Sequence, residues 1–169
     1  MNIFAIESSS KKCSIAIHSN NGVHESFDGI DNDSATSLPI MTEKILTTLS
    51  LEFSDLDAIA ISMGPGSFTG LRVGLSYAKG LSLALDIPII PISTFDLLLT
   101  PNIKHIEDEV ISVLIHSHGT TVYQSRYIFK NKTYVLETDP SSISINNISH
   151  ENNGTILYCG PEHLLNSIN

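Results

Sequence analysis

Apolar and polar positions alternate early in the chain and then fall into helical periods. Asn2–Glu7 and Cys13–His18 read as strands, and Ser19-Asn20-Asn21-Gly22 supplies Asn-Gly hairpin chemistry leading into Val23–Phe27. A first helix is predicted from about Ser34 to Leu49, with Pro39 in or near its first turn, where a missing N–H costs little. Its inward stripe is Leu38, Met41, Ile45 and Leu49, with Ile40 and Leu51 opposite. Leu56–Ser62 reads as a strand buried on both faces. Phe68–Leu85 carries no proline and is stopped by Asp86-Ile87-Pro88. Pro88–Ile92 is a further strand and Thr94–Leu99 a short helix. Pro101-Asn102 then punctuates the chain, so residues 1–100 and 101–169 are expected to form two lobes. In the second, Glu109–His116, Thr121–Phe129 and Thr133–Glu137 read as strands, the last two joined by Lys130-Asn131-Lys132. Thr138–Gly154 is polar and reads as loop, Thr155–Cys159 as a last strand, and Gly160-Pro161-Glu162 opens a helix.

The long helix is preceded by Gly64-Pro65-Gly66-Ser67-Phe68-Thr69-Gly70-Leu71-Arg72-Val73-Gly74. A strand, a tight turn and a helix N-terminus make a place where backbone amides can hold an anion, and Gly64, Gly66, Ser67, Thr69 and Gly70 are the candidates. The loop is neither a Walker A sequence nor a dinucleotide fingerprint, and it contains no Gly-x-Ser-x-Gly elbow. Along the helix, Leu71, Leu75, Ala78, Leu81 and Leu85 form one apolar face. Val73, Tyr77, Gly80 and Ala84 form a second face on its flank. Thr69, Arg72, Ser76 and Lys79 are confined to a polar arc of roughly 80° at ~100° per residue. Covering one sheet face needs an apolar stripe only a little over ~100° wide. The excess is explained either by a neighbouring helix or by another protein docked on the second flank.

Composition narrows the function. Apolar residues make up 41% of the 169 and charged residues 16%, and nine Lys+Arg against eighteen Asp+Glu leave a formal charge of −9. Nucleic-acid affinity comes mainly from basic residues neutralising phosphates, so a free-standing nucleic-acid binder is disfavoured and a basic partner suits. No stretch reaches the ~18–20 apolar residues of a membrane span, and Met1-Asn2-Ile3 lacks a basic signal-peptide start. The expected compartment is the cytoplasm, where Cys13 and Cys159 act as small hydrophobes.

Candidate catalytic chemistry is sparse. Glu7 ends the first strand, where a carboxylate can serve a nucleotide-bound metal. Asp57 and Asp86 do not reach the same edge, and Lys11 and Lys12 are ordinary turn lysines. His116 and His118 would share a strand face but lack a third ligand. No cofactor, metal or catalytic residue is expected.

The Gly64–Gly74 string, with Ile3-Phe4-Ala5-Ile6-Glu7-Ser8-Ser9, Leu56–Ala60 and Gly80–Pro88, resembles the TsaB (YeaZ) family over roughly the first hundred residues. Asp33-Ser34-Ala35 departs from that family's His-Ser pair, and His116-Ser117-His118-Gly119 from its Asp-Ala-Arg-Arg run. The chain is also shorter than the family's usual length. The resemblance implies an α/β fold: a ribonuclease-H-like lobe of the actin/Hsp70/sugar-kinase superfamily, followed by a shortened second lobe of the same type. It further implies a non-catalytic subunit that binds and stabilises TsaD and recruits the ATPase TsaE, meeting tRNA only indirectly. The complex would transfer a threonylcarbamoyl group to the adenosine beside the anticodon. The implied partner-binding residues are Ile40, Thr69, Arg72, Val73, Ser76, Tyr77, Lys79, Gly80 and Ala84, through which the protein alone would form a homodimer. The metal-binding His-x-x-x-His pair of TsaD has no counterpart, since no two histidines here stand four apart. The alternative is an autonomous ATP-binding enzyme of the sugar-kinase/Hsp70 fold using Glu7 and the Gly64–Gly70 loop. A ribonuclease-H-like nuclease would need a carboxylate cluster that the chain does not supply.

Overall fold

Apolar side chains two residues apart along the first strands line up across them. In a computed structural model that describes residues 1–27, 34–99, 108–148 and 154–167, β1 (Ile3–Glu7) pairs antiparallel with β2 (Ser14–Ser19) and parallel with β4 (Ala58–Ser62). Phe4 lies opposite Ile17 and Ile59, and Ile6 opposite Ile15 and Ile61. All six are buried. β3 (Gly22–Phe27) and β5 (Ile89–Ile92) complete the sheet in the order β3-β2-β1-β4-β5. The crossovers β3→β4 and β4→β5 contain α1 (Ser34–Leu49) and α2 (Phe68–Leu85). Leu38, Met41, Ile45 and Leu46 of α1 and Ala78 of α2 close the core over the isoleucine rows.

This first compact unit runs from Met1 to Thr94, and the second from Phe95 to Asn169. In the second, β6 (Val110–His118), β7 (Thr121–Lys130) and β8 (Thr133–Ser144) form an antiparallel meander, and β9 (Thr155–Cys159) returns parallel to β6. The order β8-β7-β6-β9 reproduces β3-β2-β1-β4 without repeating its letters. This is the expected α/β plan of a ribonuclease-H-like lobe followed by a second of the same type. Phe95 and Leu99 of α3 (Thr94–Leu99) pack with Ile111, Val113, Ile115 and Tyr127 in one core. Leu114, Val122, Ile145 and Ile148 form another. Between β8 and β9 the described residues contain only a 3-10 turn at Ile145–Asn147, where the first unit has α1.

Four expectations need correcting. The polar stretch from Thr138 is not loop from its start: β8 continues to Ser144. Its pairing with β7 slips between Gln124 and Tyr127, so Asp139-Pro140 sits at an irregularity of an edge strand, where a proline needs no ladder partner. Buried Ser125 donates its hydroxyl to the Thr138 carbonyl at 3.2 Å across that slip. Leu51 does not face outward. The backbone turns at Ser50 (φ 53°), the Leu51 amide donates to the Leu46 carbonyl, and the side chain packs on the core. Pro39 lies inside α1, beyond its first turn. The helix expected after Gly160 is a 3-10 helix, Glu162–Ser167. Pro101-Asn102, and residues 149–153 of the expected loop, lie outside the described residues.

Candidate docking face and glycine loop

Ser67 caps α2: its Oγ accepts the Gly70 amide at 3.2 Å, while its own amide donates to the Ser9 carbonyl at 2.6 Å. A methyl group on Gly66 would overlap the Ser9 carbonyl oxygen, one on Gly70 the Ser8 carbonyl oxygen, and one on Gly74 the Ser8 hydroxyl. The glycine spacing therefore lets the start of α2 lie directly on the backbone that leaves β1. Of the anion-site candidates, Gly64 has φ 96° and follows Met63 out of β4, and its carbonyl accepts the Thr94 amide. The Gly64–Pro65 peptide is cis. Thr69 is exposed. Two amides that an anion would draw on, those of Ser67 and Gly70, are already engaged inside the chain. Close approach, not an open cradle, is the physical demand this motif meets.

Around α2, the second apolar flank divides. Val73 and Tyr77 are half-buried and pack on the core beside α1, whereas Gly80 and Ala84 are exposed. Burial holds the Tyr77 phenol above its usual range. A hydrogen bond with Thr42 opposes that shift and the nearby Glu43 carboxylate adds to it. Ala35, Leu38, Arg72, Val73, Ser76 and Tyr77 line an open groove of about 340 Å³ between the two helices. A neighbouring helix thus accounts for half of the excess apolar width, and exposed surface remains for the other half. Arg72, Ser76, Lys79 and Thr69 are exposed, as is Ile40 on α1 at 61%.

Two residues were missed. Phe68 is 67% exposed with the Arg72 guanidinium stacked 3.8 Å over its ring, and Leu83 is 87% exposed. The same 100° arithmetic that defined the polar arc places Leu83 in its middle, so the arc is not purely polar. That signal was available in the sequence.

The remaining candidates do not assemble. Glu7 Oε1 accepts the Ser9 amide at 2.6 Å, and its Oε2 is buried without a hydrogen-bond partner. Asp57 accepts the Asn2 amide at the opposite end of the strands, and Asp86 forms the left-handed C-cap of α2. His116 Nε2 lies 3.1 Å from the Gly119 carbonyl and His118 Nδ1 3.0 Å from Ser117 Oγ, with a register shift between the two histidines. Among the described residues no three His, Cys, Asp or Glu side chains gather as metal ligands, and no helix is long and apolar enough to cross a membrane.

The family model of TsaD, tRNA N6-adenosine threonylcarbamoyltransferase, matches residues 12–154. The chain is 33% identical over 133 residues to a protein of Buchnera aphidicola subsp. Acyrthosiphon pisum named tRNA threonylcarbamoyladenosine biosynthesis protein TsaB, covering 79% of this chain and 60% of that one. It is 31% identical over 147 residues to the TsaB of Buchnera aphidicola subsp. Schizaphis graminum, covering 86% of this chain and 70% of the relative. The chain belongs to the TsaB family. The fold agrees: YeaZ from Pseudomonas aeruginosa superposes with a TM-score of 0.74 at 23% identity, over 88% of this chain and 69% of that one. The chain thus spans about 60% of the length of the first of these TsaB relatives.

Proposed function

We propose that this chain is a non-catalytic, cytoplasmic subunit of the machinery that places threonylcarbamoyl on tRNA adenosine. It binds and stabilises a TsaD-type transferase and works with the TsaE ATPase, meeting tRNA only through them. The observation that carries this reading is the set of exposed apolar side chains on α2, Phe68 at its start and Leu83 near its end, with Ile40 on α1. Ile40, Thr69, Arg72, Ser76, Lys79, Gly80 and Ala84 surround or join it, while Val73 and Tyr77 supply the groove beside it. A partner that covers these side chains removes them from water, and a two-fold dimer is the commonest way for copies of one chain to do so. The free protein therefore forms a concentration-dependent homodimer that TsaD displaces.

Gly80→Arg is the cleanest test. Nothing lies within 4 Å of a Cβ added at this exposed position, so the helix has room for a side chain to leave it. An unpaired charge buried in an interface costs several kcal/mol. The variant should keep the wild-type circular dichroism spectrum and lose co-purification with the TsaD of the same genome. Tyr77→Asp should also abolish binding, but it disturbs the α1–α2 seam as well. Wild-type co-purification by Gly80→Arg would move the interface elsewhere.

A second reading, an autonomous ATP-binding enzyme, draws on the buried, unpartnered Glu7 Oε2. Isothermal titration with ATP and magnesium separates the two. The subunit reading requires no affinity tighter than about millimolar and no change on Glu7→Gln.

A further inference from the structure

α1 and α2 run in the same direction. Leu38 near the start of α1 lines one groove with Val73 and Tyr77, while Leu46 near its end lines a second cleft with Leu85, the last residue of α2. Both C-termini therefore converge. This second cleft holds about 630 Å³. Leu46, Leu51, Phe53 and Leu85 supply its apolar wall, and Glu43 and Glu52 are the charged groups that line it. No Lys or Arg is among its lining residues, and neither helix has a basic residue in its last turn. The negative ends of two helix dipoles thus add to two carboxylates, all beside an apolar surface that is only partly covered. None of the residues assigned above to the TsaD-binding face lines it.

We infer that this cleft is a second docking site, and that its occupant is a basic amphipathic segment of a partner protein. Aliphatic side chains of that segment cover Leu51, Phe53 and Leu85, and its arginines or lysines meet Glu43 and Glu52. Either half alone is ordinary surface. Their coincidence at converging helix C-termini matches a cationic, apolar-faced helix and repels an acidic one. The inference does not depend on what binds the outer face of α2.

The test uses the full chain, isotope-labelled, titrated by ¹H–¹⁵N NMR with a twelve-residue capped peptide of leucine and arginine at helical spacing. Saturable shifts are expected at residues 43–54 and Leu85. Two control peptides, with arginine replaced by glutamine or leucine by serine, should each bind about tenfold more weakly. Glu43→Gln combined with Glu52→Gln should weaken the parent peptide by a similar factor. Both side chains are exposed, so the fold is not at risk. Thr47→Lys, an exposed position on the cleft, puts the chain's own cation into the site and should abolish binding. The inference is overturned if the leucine-free peptide binds as well as its parent, which would mean charge alone. It is equally overturned if the shifts map elsewhere, if the double glutamine variant binds undiminished, or if no shift saturates by about 1 mM peptide.

Discussion

Alanine at Gly70 and alanine at Gly80 add the same methyl group to the same helix, and the two should move stability in opposite directions. At Gly80 the new carbon meets nothing within 4 Å, so only backbone preference acts. An exposed helix-interior Gly→Ala exchange gains ~0.8–1 kcal/mol. At Gly70 that gain is at most ~1 kcal/mol, and the methyl overlaps the carbonyl oxygen of Ser8 while lying 3.3 Å from Ser67 Oγ. A backbone oxygen cannot rotate away. The start of α2 would have to lift from the end of β1, against the 2.6 Å bond from the Ser67 amide to the Ser9 carbonyl. Overpacking typically costs ~1–3 kcal/mol, and rigid backbone places this case at the upper end. The net loss is therefore ~2 kcal/mol. With a urea m-value of ~2 kcal/mol/M, the midpoint should rise by about 0.5 M for Gly80→Ala and fall by about 1 M for Gly70→Ala. Ellipticity at 222 nm follows the transition of the first unit, where α1 and α2 lie. A Gly70→Ala midpoint at or above wild type would refute the direct packing of α2 on the Ser8–Ser9 backbone.

Ser67→Ala removes the cap that accepts the Gly70 amide and should cost ~1 kcal/mol, while Ser67→Asp should restore most of it, both read as urea midpoints. The Tyr77 phenol is held above its ordinary value, first by burial. The unfolded chain gives up that proton near pH ~10 while the folded chain retains it, so this stability is complete below that pH and is lost as pH rises through the folded value. A spectrophotometric titration at 295 nm should show a late tyrosinate component that Tyr77→Phe removes, along with part of the alkaline destabilisation. An unchanged titration in the variant would mean that Tyr77 is not seated between Thr42 and the core.

Much of the first unit is written in local pattern. The period-2 rows Phe4/Ile6, Ile15/Ile17 and Ile59/Ile61 announce strands and an inward face, and the 3.6-residue period places Phe68–Leu85 at its observed bounds. The glycine string was legible as a family signature. Its physical purpose was not, because the partner of Gly66, Gly70 and Gly74 is Ser8–Ser9, close to sixty residues earlier in the chain. Tertiary packing alone decided that Val73 and Tyr77 turn into the α1 seam while Gly80 and Ala84 stay outside, since periodicity fixes a face but not its neighbour. The end of β8 escaped for a similar reason. Thr138–Ser144 has no strand-like pattern, and only pairing with β7 across a register slip holds it extended. The cleft at the converging ends of α1 and α2 is the furthest from local sequence. It needs Leu46, Phe53 and Leu85 brought together by a parallel crossover, which no window of the chain contains.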